Sequence, residues 1–187
     1  MRLLKNNKTI YVVITILVLI CSILSYKLLL NNNQKDTALI GINQYVIDDV
    51  DTSFASDFMD SSHLLKMVNL DCSKNISGKI INLSTYIKQK DVIIINIGSY
   101  EVEKLFITNN NNEITYDNDL IDRQIKILLS NIELIIHQIK AINARCYLYL
   151  CKLNSPFEKD CFEIISIYNK INNNLNEIAQ INNVTLI

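Results

Sequence analysis

Histidine, the side chain that most often acts as a general base, is scarce in this sequence. Its 187 residues include two histidines, His63 and His137, and histidine is the side chain whose charge change falls closest to neutral pH. His63 falls on the first predicted helix or at its end, and His137 falls in the middle of a longer one, beside Ile135 and Ile136. We therefore expect neither histidine to serve readily as a catalytic base.

Metal-ligating side chains are present but poorly spaced for a metal site. No CxxC pair and no cysteine–histidine spacing typical of zinc ligation occurs. Three aspartates between residues 48 and 51 lack the glycine and glutamate of a calcium loop and are interpreted as a solvated turn. We expect small buried thiols, with a Cys151–Cys161 disulfide as the best alternative, and we predict no metal site and no cofactor. The cysteines beyond the amino-terminal apolar segment are Cys72, Cys146, Cys151 and Cys161.

The three glycines give the first indication of where a site would lie. Gly41 and Gly98 each end a predicted strand, and Gly78 lies in the loop after another. Ligands of open parallel sheets bind at the carboxyl ends of the strands, near the topological switch point. Ordinary turn geometry explains the same glycines equally well.

The elements that would position these residues alternate between strand and helix. The run Val92–Ile97 is apolar on both faces, which is typical of the middle of a parallel sheet covered by helices. The predicted strands are 38–40, 67–70, 92–97, 146–150 and 184–187, and the predicted helices are 53–65, a helix capped by Ser77, 119–142 and 160–181. Five strands and four helices predict a three-layer α/β domain with right-handed crossovers over residues 37–187.

The amino terminus has the pattern of a membrane anchor. Residues 1–8 are basic, residues 9–30 are mostly apolar and residues 31–36 form a short polar linker. Eighteen uncharged residues from Thr9 to Tyr26 would span roughly 27 Å as a helix, close to the thickness of a bilayer core. The basic tail favours a cytoplasmic amino terminus and an extracytoplasmic domain in a single-pass protein of the cell membrane. The alternatives are a cleaved signal peptide, for which no small-residue cleavage site is evident, and a buried soluble helix.

The overall charge excludes one class of partner. The formal net charge is −1, and the sequence pI is near 6.1. Such a balance gives no general electrostatic reason to bind nucleic acid. With 49% hydrophobic residues, the chain can bury a core and is not a disordered tail.

Several segments together resemble the SGNH (GDSL-type) hydrolases. Residues 91–101, DVIIINIGSYE, resemble the third conserved block of that family, a strand followed by Gly-x-Asn-Asp. Residues 131–150 are similar to its long helix and following strand, 154–157 to its Asn-Pro-Phe loop, and 167–187 to its last helix and strand. The resemblance covers roughly residues 37–187. It implies a flavodoxin-like α/β/α fold and ester or acyl hydrolysis as the ancestral chemistry.

The sequence departs from this family at each catalytic block. Asn43 stands where the family has its nucleophilic serine, and an amide cannot act as that nucleophile. Lys74 or Asn75 stands at the oxyanion glycine, while Tyr100 and Glu101 replace the Asn and Asp of the third block. The family's Asp-x-x-His would follow the last strand, beyond Ile187. The resemblance therefore implies a degenerate site with no catalytic residue, lined by Asn43, Asn75, Gly98, Ser99, Tyr100 and Glu101.

These departures favour a binding protein over an enzyme. We expect a catalytically inactive domain that acts as a binding or accessory module at the cell envelope. Its partners would be the membrane, through the amino-terminal helix, and an envelope glycan, an acyl ligand or another protein. The alternatives are an active hydrolase that uses substituted residues such as Ser99, Tyr100, Glu101 or His63, and a truncated esterase that lacks its Asp-x-x-His.

The predicted membrane topology is testable in cells. Protease added to intact cells or spheroplasts should digest the domain beyond Leu30, because the positive-inside rule places it outside. The measurement is immunoblotting of an epitope at the carboxyl terminus, with a cytoplasmic protein as the protected control. Protection of the epitope until the cells are lysed would contradict this orientation.

Overall fold

A computed structural model describes residues 35–42, 50–56, 59–108, 114–156 and 162–187. The predicted anchor at 9–30, the predicted site residue Asn43 and Cys161 lie outside the described residues. Within the described residues, no helix is both long enough and apolar enough to cross a membrane. Residues from Asp36 to Ile187 form one compact unit.

The centre of this unit is a parallel sheet of five strands. The described strands, in chain order, are β1 Thr37–Ile42, β2 Asp51–Ser56, β3 Ser73–Ile76, β4 Lys79–Asn82, β5 Val92–Asn96, β6 Ile107–Thr108, β7 Ile114–Thr115, β8 Tyr147–Leu150 and β9 Thr185–Leu186. The sheet has the order β2-β1-β5-β8-β9, and every neighbouring pair is parallel. This is the 2-1-3-4-5 order of flavodoxin-like sheets, with the switch point between β1 and β5. The predicted central position of the Val92–Ile97 run is confirmed.

Five helices are described around the sheet. They are α1 Ser61–Asn69, α2 Leu83–Lys88, α3 Ser99–Glu103, α4 Asn118–Ile142 and α5 Phe162–Ile181. The two long helices confirm the predictions for 119–142 and 160–181. In α4, Leu128, Ile132, Ile135 and Ile139 are fully buried at spacings of three and four, which is one face of a helix.

The region between β1 and β5 differs from the prediction. The predicted helix at 53–65 and the predicted strand at 67–70 are wrong, because the chain forms β2 first and then α1. Only Phe54 is buried in β2, so this edge strand carries almost no apolar pattern. Helix α1 starts where the carboxylate of Asp60 accepts a hydrogen bond from the backbone N–H of His63, 2.7 Å away.

The prediction that Ser77 caps a helix is wrong. This residue forms the turn of the antiparallel hairpin β3–β4 together with Gly78, and both residues have positive φ angles, of 50° and 81°. Two such angles define a type I′ turn, the preferred turn of a two-residue hairpin loop. The following helix, α2, begins only at Leu83, and Ile80 of the hairpin is 77% exposed.

The described helices pack against one face of the sheet. The core cluster contains Ala38 with Ile93 and Ile40 with Ile95, pairs that the register places on the same face, together with buried residues of all five helices. On the opposite face, Leu39 lies beside Ile94 and is outside that cluster. The predicted second layer of helices is not seen among the described residues.

The order of the strands explains this single layer. The connections from β2 to β5, from β5 to β8 and from β8 to β9 all move in the same direction across the sheet. Right-handed crossovers that move in the same direction place their helices on the same face. Only the step from β1 to β2 runs the other way. The connection between those two strands, residues 43–49, lies outside the described residues.

A buried cation joins elements at the amino-terminal edge of the sheet. Lys90 is 8% exposed, and its Nζ lies 2.8 Å from Asp36 Oδ1 and 2.7 Å from Asp51 Oδ2. Asp36 precedes β1 and Asp51 begins β2, while the Tyr86 ring lies 4.7 Å from the same Nζ. Burial raises the pKa of Asp51, but hydrogen bonds from Lys90 and Ser53 outweigh it and bring the pKa down to about 2.

Acid should weaken the fold through this group. Because the pKa of Asp51 is lower in the folded chain than in the unfolded one, its stabilisation is complete above pH 4 and is lost as the pH falls towards 2. We expect the free energy of unfolding to fall by about 1–2 kcal/mol over that interval from this group, after allowance for screening. Urea denaturation followed by circular dichroism measures it.

A matched pair of variants separates this effect from general acid destabilisation. Lys90→Met removes the ammonium group. It should lower the free energy of unfolding at pH 7 and reduce the further loss of that free energy between pH 4 and 2. Lys79→Met, at an exposed position of β4, should keep the full acid dependence. Identical pH profiles for the two variants would show that the Lys90 contacts do not lower the pKa of Asp51.

Candidate functional site

A cavity opens at the carboxyl-terminal edge of the sheet. Its volume is about 630 Å³, within the range of small-molecule sites. β5 ends at Asn96, β8 is followed by Cys151 and β9 by Ile187, so three neighbouring strands point into one cavity. We call it the carboxyl-edge cleft; its described lining is Asn96, Ser99, Glu103, Cys151, Lys152, Asn154, Ser155, Pro156 and Ile187.

The backbones of β1 and β5 come very close together at the switch point. Gly41 pairs with Asn96 in the parallel register and has a φ of +104°. A Cβ atom on Gly41 would lie 2.2 Å from the backbone oxygen of Asn96. Because the backbones approach so closely and the φ angle is positive, no larger residue fits at position 41.

A second glycine sets the start of helix α3. Gly98 has a φ of +111°, and a Cβ on it would lie 3.1 Å from the methyl groups of Leu128 and 3.3 Å from Leu153. The next residue, Ser99, is 5% exposed and lines the cleft. The predicted positions of Gly41 and Gly98 at one rim therefore agree with the structure, whereas Gly78 lies in the β3–β4 turn.

Helix α5 holds the loop that forms one wall of the cleft. The side-chain amide of Asn172 donates to the backbone oxygen of Leu153 and accepts from its backbone N–H, both at 2.9 Å. The backbone N–H of Lys152 donates to the backbone oxygen of Ile187 at 2.7 Å. These bonds fix residues 152 and 153, so the wall is positioned by hydrogen bonds to α5 and to the end of β9.

Glu101 joins α3 to the first turn of α1. Its carboxylate accepts hydrogen bonds from the backbone N–H and the hydroxyl of Ser61, at 2.5 and 2.8 Å. The amide of Asn131 donates to the same hydroxyl at 2.9 Å. Burial raises the pKa of Glu101, and the bonds from Ser61 oppose that rise. Glu101 therefore caps a neighbouring helix and is not among the residues that line the cleft.

The predicted site residues Asn75 and Lys74 do not belong to the five-stranded parallel sheet. Both lie on β3 of the isolated hairpin, which pairs only with β4 among the described strands. Their expected convergence with Gly98 and Tyr100 depended on the incorrect strand at 67–70. The structure does not place them after a strand of the parallel sheet.

Tyr100 is also not among the cleft's described lining residues. It is half-buried against the core, and the Nζ of Lys104 lies 3.8 Å from its ring centroid. Of the predicted residues that the structure describes, Ser99 alone lines the cleft.

Both histidines lie elsewhere. His63 contributes to a separate groove of about 370 Å³ on α1, together with Ser62, Lys66, Met67 and Cys72. His137 is exposed in the middle of α4. Since the sequence holds no other histidine, none lines the described cleft.

Sequence reasoning missed most of the polar lining. Asn96 and Asn154 fall within the segments 91–101 and 154–157 quoted above but were not predicted as site residues, and Glu103 and Lys152 carry no motif. Cys151 was expected to be a small buried residue; it is a free thiol, without the alternative disulfide to Cys161, and burial raises its pKa to about 11. No group of three metal-ligating side chains occurs among the described residues.

Comparison with known proteins adds no family assignment. No family model matches the sequence, and no curated protein matches it. The similarity to SGNH hydrolases therefore remains a prediction from the segments quoted above.

Removing the Glu101 carboxylate should loosen the carboxyl edge. Glu101→Ala leaves the backbone N–H and hydroxyl of Ser61 without their acceptor, and we expect a loss of about 1–3 kcal/mol in the free energy of unfolding. Glu177→Ala, at an exposed position of α5, should change stability by less than about 0.5 kcal/mol. Equal stability of the two variants in urea would show that the contact to α1 contributes nothing.

Proposed function

We propose that residues 36–187 form a ligand-binding domain, related to the SGNH hydrolases, that holds its ligand in the carboxyl-edge cleft without hydrolysing it. The observation that carries this proposal is a cavity at the carboxyl ends of β5, β8 and β9 whose lining includes no histidine. Open parallel sheets bind ligands at the carboxyl ends of their strands, and β5, one of the three strands here, borders the switch point. The flavodoxin-like strand order supports the family relationship.

The chemistry of the lining supports binding without turnover. Ser99 offers a hydroxyl, but no histidine is available to take its proton. Burial keeps Cys151 protonated at neutral pH, since its pKa is raised to about 11, and a thiol is a far weaker nucleophile than a thiolate. Loss of the serine or histidine of a catalytic triad typically costs about 10⁶ in kcat.

The amino-terminal sequence supports a location at the cell envelope. We place the domain on the outer face of the membrane, attached through the apolar segment at 9–30. The basic residues Arg2, Lys5 and Lys8 favour this orientation. The ligand would then be a molecule of the envelope or of the surrounding medium.

Ester hydrolysis tests the absence of turnover. The purified full-length chain should release p-nitrophenol from p-nitrophenyl acetate and butyrate no faster than its Ser99→Ala, Cys151→Ala double variant. The two proteins must first give matching circular dichroism spectra. A hydrolysis rate that only the double variant loses would overturn the proposal and favour an active hydrolase.

Blocking the cleft tests the location of binding. Asn154→Trp places a large ring at an exposed lining position, and Asn173→Trp places the same ring on the exposed surface of α5. In a thermal-shift panel of amino acids, short peptides, monosaccharides and short acyl esters, at least one compound should stabilise the native chain and Asn173→Trp but not Asn154→Trp. A panel without such a compound would contradict a ligand site in the cleft.

A further inference from the structure

The carboxyl-edge cleft is lined by two opposite charges. Glu103 is the last residue of α3, and Lys152 follows β8. Within the described part of the chain, neither side chain forms an ion pair, with the other or with any third residue. Both charges therefore face the same cavity with their pairing capacity unused.

A third polar group lies next to Glu103. Tyr168 is 2% exposed, and its hydroxyl has no hydrogen-bond partner among the described residues. Burial first, and then the nearby carboxyl of Glu103, raises the pKa of Tyr168. One helical turn later, Asn172 holds Leu153 in the cleft wall, which puts this part of α5 behind the same wall.

The unpaired charges of Glu103 and Lys152 indicate which class of ligand the cleft would bind. The hydroxyl of Tyr168 is buried and does not line the cleft, so it contributes to the low solvation around Glu103 and offers a ligand no direct contact. Burial also raises the pKa of Glu103, so its carboxylate has lost solvation that a positive charge could replace. Lys152 offers the complementary site for a negative charge.

We infer that the cleft binds a small zwitterion, an amino acid or short peptide with free termini, whose ammonium group meets Glu103 and whose carboxylate meets Lys152. The inference rests on the proposed binding function of the cleft. The cavity of about 630 Å³ accommodates a ligand of this size. The amide of Asn154 and the hydroxyl of Ser99 supply further polar contacts for peptide groups.

Uncharged ligands fit the same lining less well. A neutral sugar or an acyl ester would displace solvent from Glu103 and Lys152 without supplying a counter-charge, and desolvating an unpaired charge is costly. A ligand with one charge would satisfy one side chain and leave the other unpaired. A zwitterion satisfies both, and its own net charge of zero suits the described lining, in which one positive and one negative side chain balance.

Blocked peptides test each charge separately. Isothermal titration of the purified full-length chain at pH 7 should detect binding of trialanine. N-acetyl-trialanine lacks the ammonium group and trialanine amide lacks the carboxylate, so each should bind about tenfold more weakly, the loss expected for one charge-assisted contact. Equal affinities for the three peptides would overturn the inference.

Variants should assign each terminus to its side chain. Glu103→Gln should weaken trialanine about tenfold and leave N-acetyl-trialanine unchanged, whereas Lys152→Gln should weaken trialanine and leave the amide unchanged. Tyr168→Phe should raise the thermal midpoint of the free chain, because it removes an unpartnered buried hydroxyl. Glu177→Gln and Lys126→Gln, both at exposed helix positions, should match the native chain.

The outcomes separate this inference from the proposed function. If trialanine fails to bind while a neutral compound stabilises the native chain but not Asn154→Trp, the cleft is a ligand site of another class and only the zwitterion is wrong. If trialanine binds Asn154→Trp as tightly as the native chain, the peptide is held elsewhere and the inference fails. If no compound binds the cleft, the inference and the proposed function both fail.

Discussion

The contact between the Gly41 backbone and the backbone oxygen of Asn96 constrains the whole carboxyl-terminal edge. It lies where the strand order reverses, between β1 and β5, and it leaves no room for a side chain on β1. From that point the chain after β5 turns through Gly98 into α3, which brings Ser99 and Glu103 to the cavity.

The hydrophobic pattern of the sequence correctly predicted the elements in which apolar residues are buried at a regular spacing. The Val92–Ile97 run and the stripes of α4 and α5 repeat apolar residues at the spacing of their secondary structure, so core packing and local propensity agree. The same agreement located Gly41, Gly98 and Ser99, because all three are tied to the ends of such strands.

The hydrophobic pattern of the sequence did not predict the elements in which few residues are buried. β2 is an edge strand whose Asp51 and Ser53 remain half-exposed, so alternation is hardly visible there. Met67–Leu70 has the composition of a short strand, but its place in α1 is decided by the Asp60 cap and by burial of Leu64 and Val68. The cleft's polar lining was missed for a different reason, since isolated side chains after a strand become a site only when the folded chain brings them together.

The buried Lys90 cluster and the cleft lie at opposite ends of the sheet strands. β5 has five residues, a length of about 16 Å, which exceeds the 7–10 Å beyond which the effects of substitutions usually add independently. Residues around the cavity can therefore be replaced without weakening the ion pairs that hold β1, β2 and α2 together. This scaffold is suited to exchanging one specificity for another while the strand order and the core stay the same.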